Sequence, residues 1–420
     1  MKKAIRFLLI IFLNFVALSA CNQNEQIESR LKNPIGFTDT EIIFGSSLAL
    51  KGHASFLGTQ TLRGAMCYIK YVNDQGGVHG RKIKIIARDD SYDPPQCVAN
   101  TQRLIIEDRV FALFCYVGTP TTVKILPMVD SAKIPILGMF TGANALREPF
   151  NRYVINVRAS YYQETGTAVK HLVEDLGIKK IAVLYQYDAY GFDGLTGTEL
   201  ALKEYNLAPV ASGSYIRGTL DVEEASNKII ASGADAVVMI GTSKPCAEFI
   251  KRSISKGAHP VFYTPSFAGS EDLAKHLGPD IDATVIMSQV VPRPEGTEDQ
   301  IRLGKTMEFA TLLKQYYPDD EPDFVGFEGY INAKVLVEGL QRAGRNLTRE
   351  RFIDAIESIN GYPLGYDITI SFSPTDHQGM DRVYFTRLEN GKFMLINEGW
   401  TSIKKDILGQ DKKSVSAEGS

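Results

Sequence analysis

The chain has 420 residues, 44% hydrophobic and 23% charged, with 46 Lys plus Arg against 49 Asp plus Glu for a formal net charge of −3. That length exceeds one typical core and points to two domains or lobes. The composition excludes a disordered or membrane-filled chain, and balanced charge without long single-sign runs argues against a nucleic-acid partner.

In chain order, Lys2, Lys3 and Arg6 precede the apolar run Phe7 to Val16, followed by Leu18-Ser19-Ala20-Cys21. A charged start, an apolar run and small residues, in that order, read as an exported leader over residues 1–20. Small residues directly before a Cys resemble the lipobox of bacterial lipoproteins, which implies lipidation of Cys21 and membrane anchoring through it. Residues 21–40 read as a flexible tether, and the chain beyond residue 40 faces an exported compartment.

Glu41 to Gly45 reads as a first strand, leading through Ser46-Ser47 into a helix that repeats Leu62, Ala65, Met66, Ile69 and Val72 on one face. Asn73 to Gly77 stop that helix, and Lys82 to Ala87 close a βαβ unit. Asp89-Asp90-Ser91-Tyr92-Asp93-Pro94-Pro95 opens the next helix. It is not a calcium loop, because the sixth and twelfth positions from Asp89 are Pro94 and Asn100 rather than Gly and Glu.

The stretch from Val110 to Asn144 carries the main site signal. Val110 to Cys115 and Ile134 to Leu137 lack polar alternation, as expected of parallel strands covered on both faces. Each ends in a Gly and Thr turn, Gly118-Thr119-Pro120 and Thr141-Gly142. At the carboxyl ends of parallel strands, free N–H groups of the following helix attract anions, and hydroxyls complete the hydrogen bonds. Pro120 suits a helix's first position.

The alternation then restarts. A helix from Tyr161 to Leu176 precedes a strand from Lys180 to Tyr185, with further strands at Ala236 to Ile240 and Val261 to Thr264. Two successive βα runs imply two doubly wound parallel-sheet lobes in an α/β fold. Past Met287 the pattern turns helical, at Gln300 to Tyr317, Phe327 to Ala343 and Thr348 to Ile359. Arg382 to Leu388 and Lys392 to Ile396 flank Asn390-Gly391, a strong hairpin signal. Residues 409–420 read as a frayed tail.

Catalytic and metal constellations are absent from the pattern. No Gly-x-Gly-x-x-Gly, Walker loop, nucleophile elbow or His-Glu-x-x-His occurs. Cys67, Cys97, Cys115 and Cys246 fit no metal spacing. Their pairing is not readable from sequence, although a buried free thiol suits Cys115 within its apolar run. No metal and no cofactor are expected.

Several runs together resemble the family of solute-binding proteins for ABC importers typified by branched-chain amino acid binding proteins. They are Asn73-Asp74-Gln75-Gly76-Gly77-Val78-His79-Gly80-Arg81-Lys82-Ile83, Asp89-Asp90 with Asp93-Pro94, Gly118-Thr119-Pro120, and Tyr190-Gly191 after Tyr185-Gln186-Tyr187-Asp188. The resemblance implies the type I periplasmic binding protein fold, two α/β lobes joined by three crossovers near Asn156 to Ser160, Ser288 to Pro292 and Phe372 to Asp381. The N-terminal lobe would comprise 41–158 plus 292–371, and the C-terminal lobe 159–291 plus 380–408. It implies ligand contacts from Thr119, Gly118, Phe140, Thr141 and Gly142 on one lobe and Tyr190 on the other, with Tyr116, Ser47 and Phe267 adjacent. Where the family carries a glutamate for the ligand's ammonium, the corresponding run here is Thr264-Pro265-Ser266-Phe267, with Ser266 at that position.

The expected function is therefore capture of a small polar or anionic solute between the lobes and delivery to the transmembrane subunits of an ABC permease. The protein would be a monomer, lipid-anchored on the periplasmic or cell-surface face of a bacterial membrane. Closure rather than catalysis is the expected mechanism. The competing readings are a partner of a membrane sensor and a hydrolase acting in the cleft, for which Asp188 and Glu271 are the nearby carboxylates. Without an acid at Ser266, weak binding of leucine, isoleucine and valine is expected.

Overall fold

A computed structural model describes residues 35–296, 307–396, 399–400 and 403–404. The leader, Cys21, the start of the tether, the tail and the first residues of the helix expected from Gln300 lie outside the described residues.

The first sheet has five strands in the order β2-β1-β3-β4-β5, all paired in parallel. They are β1 (Glu41–Leu48), β2 (Lys82–Asp89), β3 (Ala112–Phe114), β4 (Ile136–Leu137) and β5 (Val154–Ile155). The apolar run from Val110 contributes only three paired residues, but all of Val110 to Val117 is buried, as a strand covered on both faces requires. The helices are α1 (Ser55–Asp74), α2 (Pro94–Ile106) and α3 (Thr119–Ala132). The Asp93 side chain caps α2 by accepting the Gln96 N–H.

The second sheet has seven strands, ordered β14-β13-β10-β9-β8-β6-β7. β6 (Ile181–Gln186), β7 (Ser212–Tyr215), β8 (Ala236–Ile240), β9 (Val261–Thr264) and β10 (Val285–Gln289) pair in parallel. β13 (Tyr384–Glu389) and β14 (Lys392–Leu395) add an antiparallel hairpin at the β10 edge. Helices α4 (Tyr161–Glu174), α5 (Ala189–Glu204), α6 (Glu223–Ala231), α7 (Ser243–Ser255) and α8 (Ser270–Leu277) cover this sheet. α4 starts in a capping box, Ser160 with Gln163. The strand Ser212–Tyr215, too polar to stand out in the sequence, is an edge strand.

After β10 the chain passes through α9 (Glu308–Tyr316), α10 (Phe324–Ala343) and α11 (Arg349–Glu357). α10 packs on α1 so closely that a Cβ on Gly64 would lie 1.7 Å from the Gly326 carbonyl oxygen. Glycine is therefore required at that crossing. One expectation for this region needs correcting. It is not wholly helical, because β11 (Tyr362–Gly365) and β12 (Ile368–Ile370) form a small antiparallel hairpin.

The first and third connections between the sheets run side by side. Asn156 N–H donates to the His377 carbonyl at 2.8 Å, and Gly379 N–H donates to Asn156 O at 2.9 Å. Strand order reverses between β1 and β3 in the first sheet and between β6 and β8 in the second. Loops at such switch points leave a crevice beyond the strand ends, and the two crevices face each other.

Candidate ligand cleft between the lobes

The two Gly and Thr turns lie side by side, as β3 and β4 pair directly. Gly118 N–H donates to the Phe140 carbonyl at 3.1 Å, and the Thr119 and Thr141 hydroxyls are 2.7 Å apart. α3 begins at Thr119 itself, with Gly118 as N-cap at φ 99°. A Cβ on Gly118 would fall 2.1 Å from a ring carbon of Tyr92, so both φ and space demand glycine. Gly142 is similarly tight against Tyr161, whose N–H donates to the Gly142 carbonyl at 2.8 Å.

The facing lobe contributes Tyr190, in the first turn of α5, and Phe267, in the short turn after β9. Their ring centroids are 4.7 Å apart, and Phe267 also meets Tyr92 and Phe140 at 5.8 Å each. Tyr161 lies 5.1 Å from Tyr190. All five rings are buried, so the lobes are closed on an aromatic centre drawn from both sides. Polar contacts join the lobes around it. Gln186 Nε2 donates to the Tyr92 hydroxyl at 3.4 Å, Asn144 N–H donates to Asp193 at 3.0 Å, and the Arg217 guanidinium sits 5.7 Å from the Tyr92 ring. The Tyr190 hydroxyl is buried without a hydrogen-bond partner among the described residues.

At the base of the cleft lies an ion cluster centred on Arg158, in the first crossover and only 1% exposed. Its Nη2 donates to Glu164 at 2.9 Å and to the Ser266 hydroxyl, and its Nη1 reaches both Glu328 oxygens at 3.3 Å. Glu164 belongs to α4, Glu328 to α10 and Ser266 to the turn after β9, so one guanidinium ties both lobes to the crossover. It also stacks 5.0 Å from the Phe140 ring. Burial lowers a guanidinium's basicity, but the two carboxylates more than offset this and raise Arg158 above its usual range. Burial likewise pushes Glu328 up to about 7, against the pull of Arg158.

Of the remaining candidates, Ser47, Tyr116 and Asp188 are committed within single lobes, whereas Glu271 reaches across to the other lobe. The Ser47 hydroxyl donates to Asp90 at 2.8 Å, and the Tyr116 hydroxyl is 2.9 Å from that of Thr101 on α2. Asp188 accepts the Tyr190 N–H at 3.0 Å as the α5 cap and pairs with Arg217 at 3.2 Å. Glu271 accepts a hydrogen bond from the Phe324 N–H at the start of α10, and burial holds its carboxyl up at about 7. Cys67, Cys97, Cys115 and Cys246 are free and buried.

A family model described as periplasmic binding protein matches residues 41–392. The chain belongs to the periplasmic binding protein family. Among curated relatives of this periplasmic binding protein, Leu/Ile/Val-binding protein homolog 7 of Brucella abortus is 25% identical over 316 residues, which is 72% of this chain and 77% of the relative. A possible leucine/isoleucine/valine-binding protein from Rhodopirellula baltica aligns with a TM-score of 0.79 at 30% identity, covering 87% of this chain and 98% of that one. A fatty acid ABC transporter substrate-binding protein from Thermomonospora curvata shares the fold, with a TM-score of 0.78 at 22% identity and coverage of 88% and 94%.

Sequence reading alone misses several cleft residues of this periplasmic binding protein. Tyr92 sits at φ 61° in the acidic loop, where Asp90 accepts its N–H at 2.9 Å, and Tyr161 and Glu164 read as an ordinary amphipathic helix start. The available signal was Arg158 itself, a lone charge between Val157 and Ala159 in a crossover segment.

Proposed function

We propose that the protein is an extracytoplasmic, lipid-anchored receptor that captures a small polar or anionic solute, an amino acid or related compound, and hands it to ABC permease subunits. The observation that carries this reading is the hydroxyl pair Thr119 and Thr141, 2.7 Å apart at adjacent strand ends beside an aromatic centre to which the other lobe contributes Tyr190 and Phe267. Such a crevice offers hydroxyls and helix N–H groups to an anionic group and rings to an apolar body. Thr119, Gly118, Phe140, Thr141 and Gly142 would hold the ligand from one side, and Tyr190, Ser266 and Phe267 from the other. The rings meet directly in the closed form, so the lobes must part for entry. Ligand contacts on both lobes then favour reclosure by their differential affinity.

Names of relatives do not settle the ligand, because one fold carries receptors named for branched-chain amino acids and for fatty acids. Mass spectrometry of whatever co-purifies with natively expressed protein identifies it. With that ligand, Thr119→Val should weaken binding about tenfold or more, since a hydrogen bond to a charged group contributes roughly 1.5–3 kcal/mol. Equal affinities by calorimetry would reduce Thr119 to a turn residue.

Anchoring is tested separately. Changing Cys21 to Ala should move the protein from the membrane fraction to the soluble one, and unchanged fractionation would exclude Cys21 as the anchor.

A further inference from the structure

The cleft centre has few polar groups, and which of them are already used limits what a ligand can offer. Each oxygen of Glu164 is doubly engaged. Oε1 accepts from Arg158 Nη2 at 2.9 Å and from the Ser266 hydroxyl at 3.1 Å. Oε2 accepts from Ser266 N–H at 2.8 Å and from the Ser288 hydroxyl at 2.6 Å. Four acceptor sites filled by four donors leave this carboxylate nothing for an incoming ammonium. The cation that satisfies it is supplied by the protein.

Donors beside it remain unspent. Arg158 Nε is buried with no acceptor among the described residues, and the Tyr190 hydroxyl is likewise buried without a partner there. The guanidinium carrying that Nε stacks on Phe140, whose neighbour Thr141 shares the hydroxyl pair with Thr119. Glu328 meets only Nη1, in two long contacts of 3.3 Å, and leaves Nε uncommitted. A buried donor on a cation is costly until an acceptor reaches it.

From this geometry we infer that Arg158 sets the ligand class, acting as a built-in counter-cation so that the cleft takes carboxylates with an apolar or aromatic body and no α-ammonium. This rests on the solute-binding reading above and narrows it. An α-amino acid would bring a second cation beside a guanidinium that already holds Glu164, whose four acceptor sites are filled.

The test uses the wild-type protein and matched pairs of probes: 4-methylpentanoate against leucine, 3-methylbutanoate against valine, and 3-phenylpropanoate against phenylalanine, by calorimetry. In the best-binding pair the carboxylate lacking the amine should bind at least tenfold more tightly than the amino acid. Arg158→Lys keeps the charge but loses the fixed planar fork. It should weaken the des-amino carboxylate at least tenfold and leave the amino acid no tighter, with circular dichroism confirming the fold. Equal or tighter binding of the amino acids to the wild type overturns the inference and leaves the receptor reading intact. If no member of either series binds and nothing co-purifies, both fall together.

Discussion

Replacing Glu164 with Leu is expected to destabilise the protein by about 3–5 kcal/mol, the cost of leaving a buried charge without its partner. Four donors lose their acceptor at once: Arg158 Nη2, the Ser266 N–H, the Ser266 hydroxyl and the Ser288 hydroxyl. Glu328 cannot take over, since its contacts are on the other guanidinium nitrogen at 3.3 Å. Urea unfolding followed by tryptophan fluorescence and circular dichroism measures the change from the shift in midpoint at constant slope. Adding Arg158→Met and Glu328→Gln to Glu164→Leu should reduce that loss, because no buried charge is then left without its partner. A loss below about 1 kcal/mol for Glu164→Leu would mean that water reaches the guanidinium and that the cluster is not buried as described.

How much of this could be read from sequence depends on how far apart in the chain the interacting groups are. The apolar runs of β3 and β4 announce themselves because a strand covered on both faces has no polar alternation, and a single intervening helix places their end turns side by side. That logic reaches the Thr119 and Thr141 pair. It does not reach the Tyr362–Ile370 hairpin, where Gly361, Pro363 and Gly365 look like breakers between helices. Nor does it reach Arg158, whose partners Glu164 and Glu328 lie 6 and 170 residues away on different lobes. No local periodicity records such a meeting. The Ser266 position was legible as lacking an acid, yet its hydrogen bonds to Arg158 and Glu164, 108 and 102 residues away, are visible only in the folded structure.

The second large effect concerns pH. Glu328 is buried, and desolvation of its charged form raises its carboxyl from 4.5 to about 7 despite the nearby Arg158. A carboxyl whose folded pKa exceeds its unfolded value binds its proton more tightly when folded. Its contribution to stability is therefore full below the unfolded pKa and is lost as pH rises through the folded one. Between about pH 4.5 and about pH 7 this group alone should cost the wild type about 3 kcal/mol. Asp90 and Asp193, each pushed by burial up to about 6, slope the same way, so the wild-type curve combines several groups. Glu328→Gln isolates one of them: near pH 4 it should match the wild type, because Gln resembles the protonated acid, and near pH 8 it should be the more stable protein by about 3 kcal/mol. Parallel urea midpoints for the two proteins across that range would show that Glu328 ionises in the fold as readily as in water. Because Arg158 joins Glu328 on one lobe to Glu164 and Ser266 on the other, the same titration should be visible in closure. Small-angle scattering of the wild type should show a larger radius of gyration above about pH 7 than below about pH 6, and Glu328→Gln should reduce that difference, the remainder belonging to Glu271, which also reaches across the lobes.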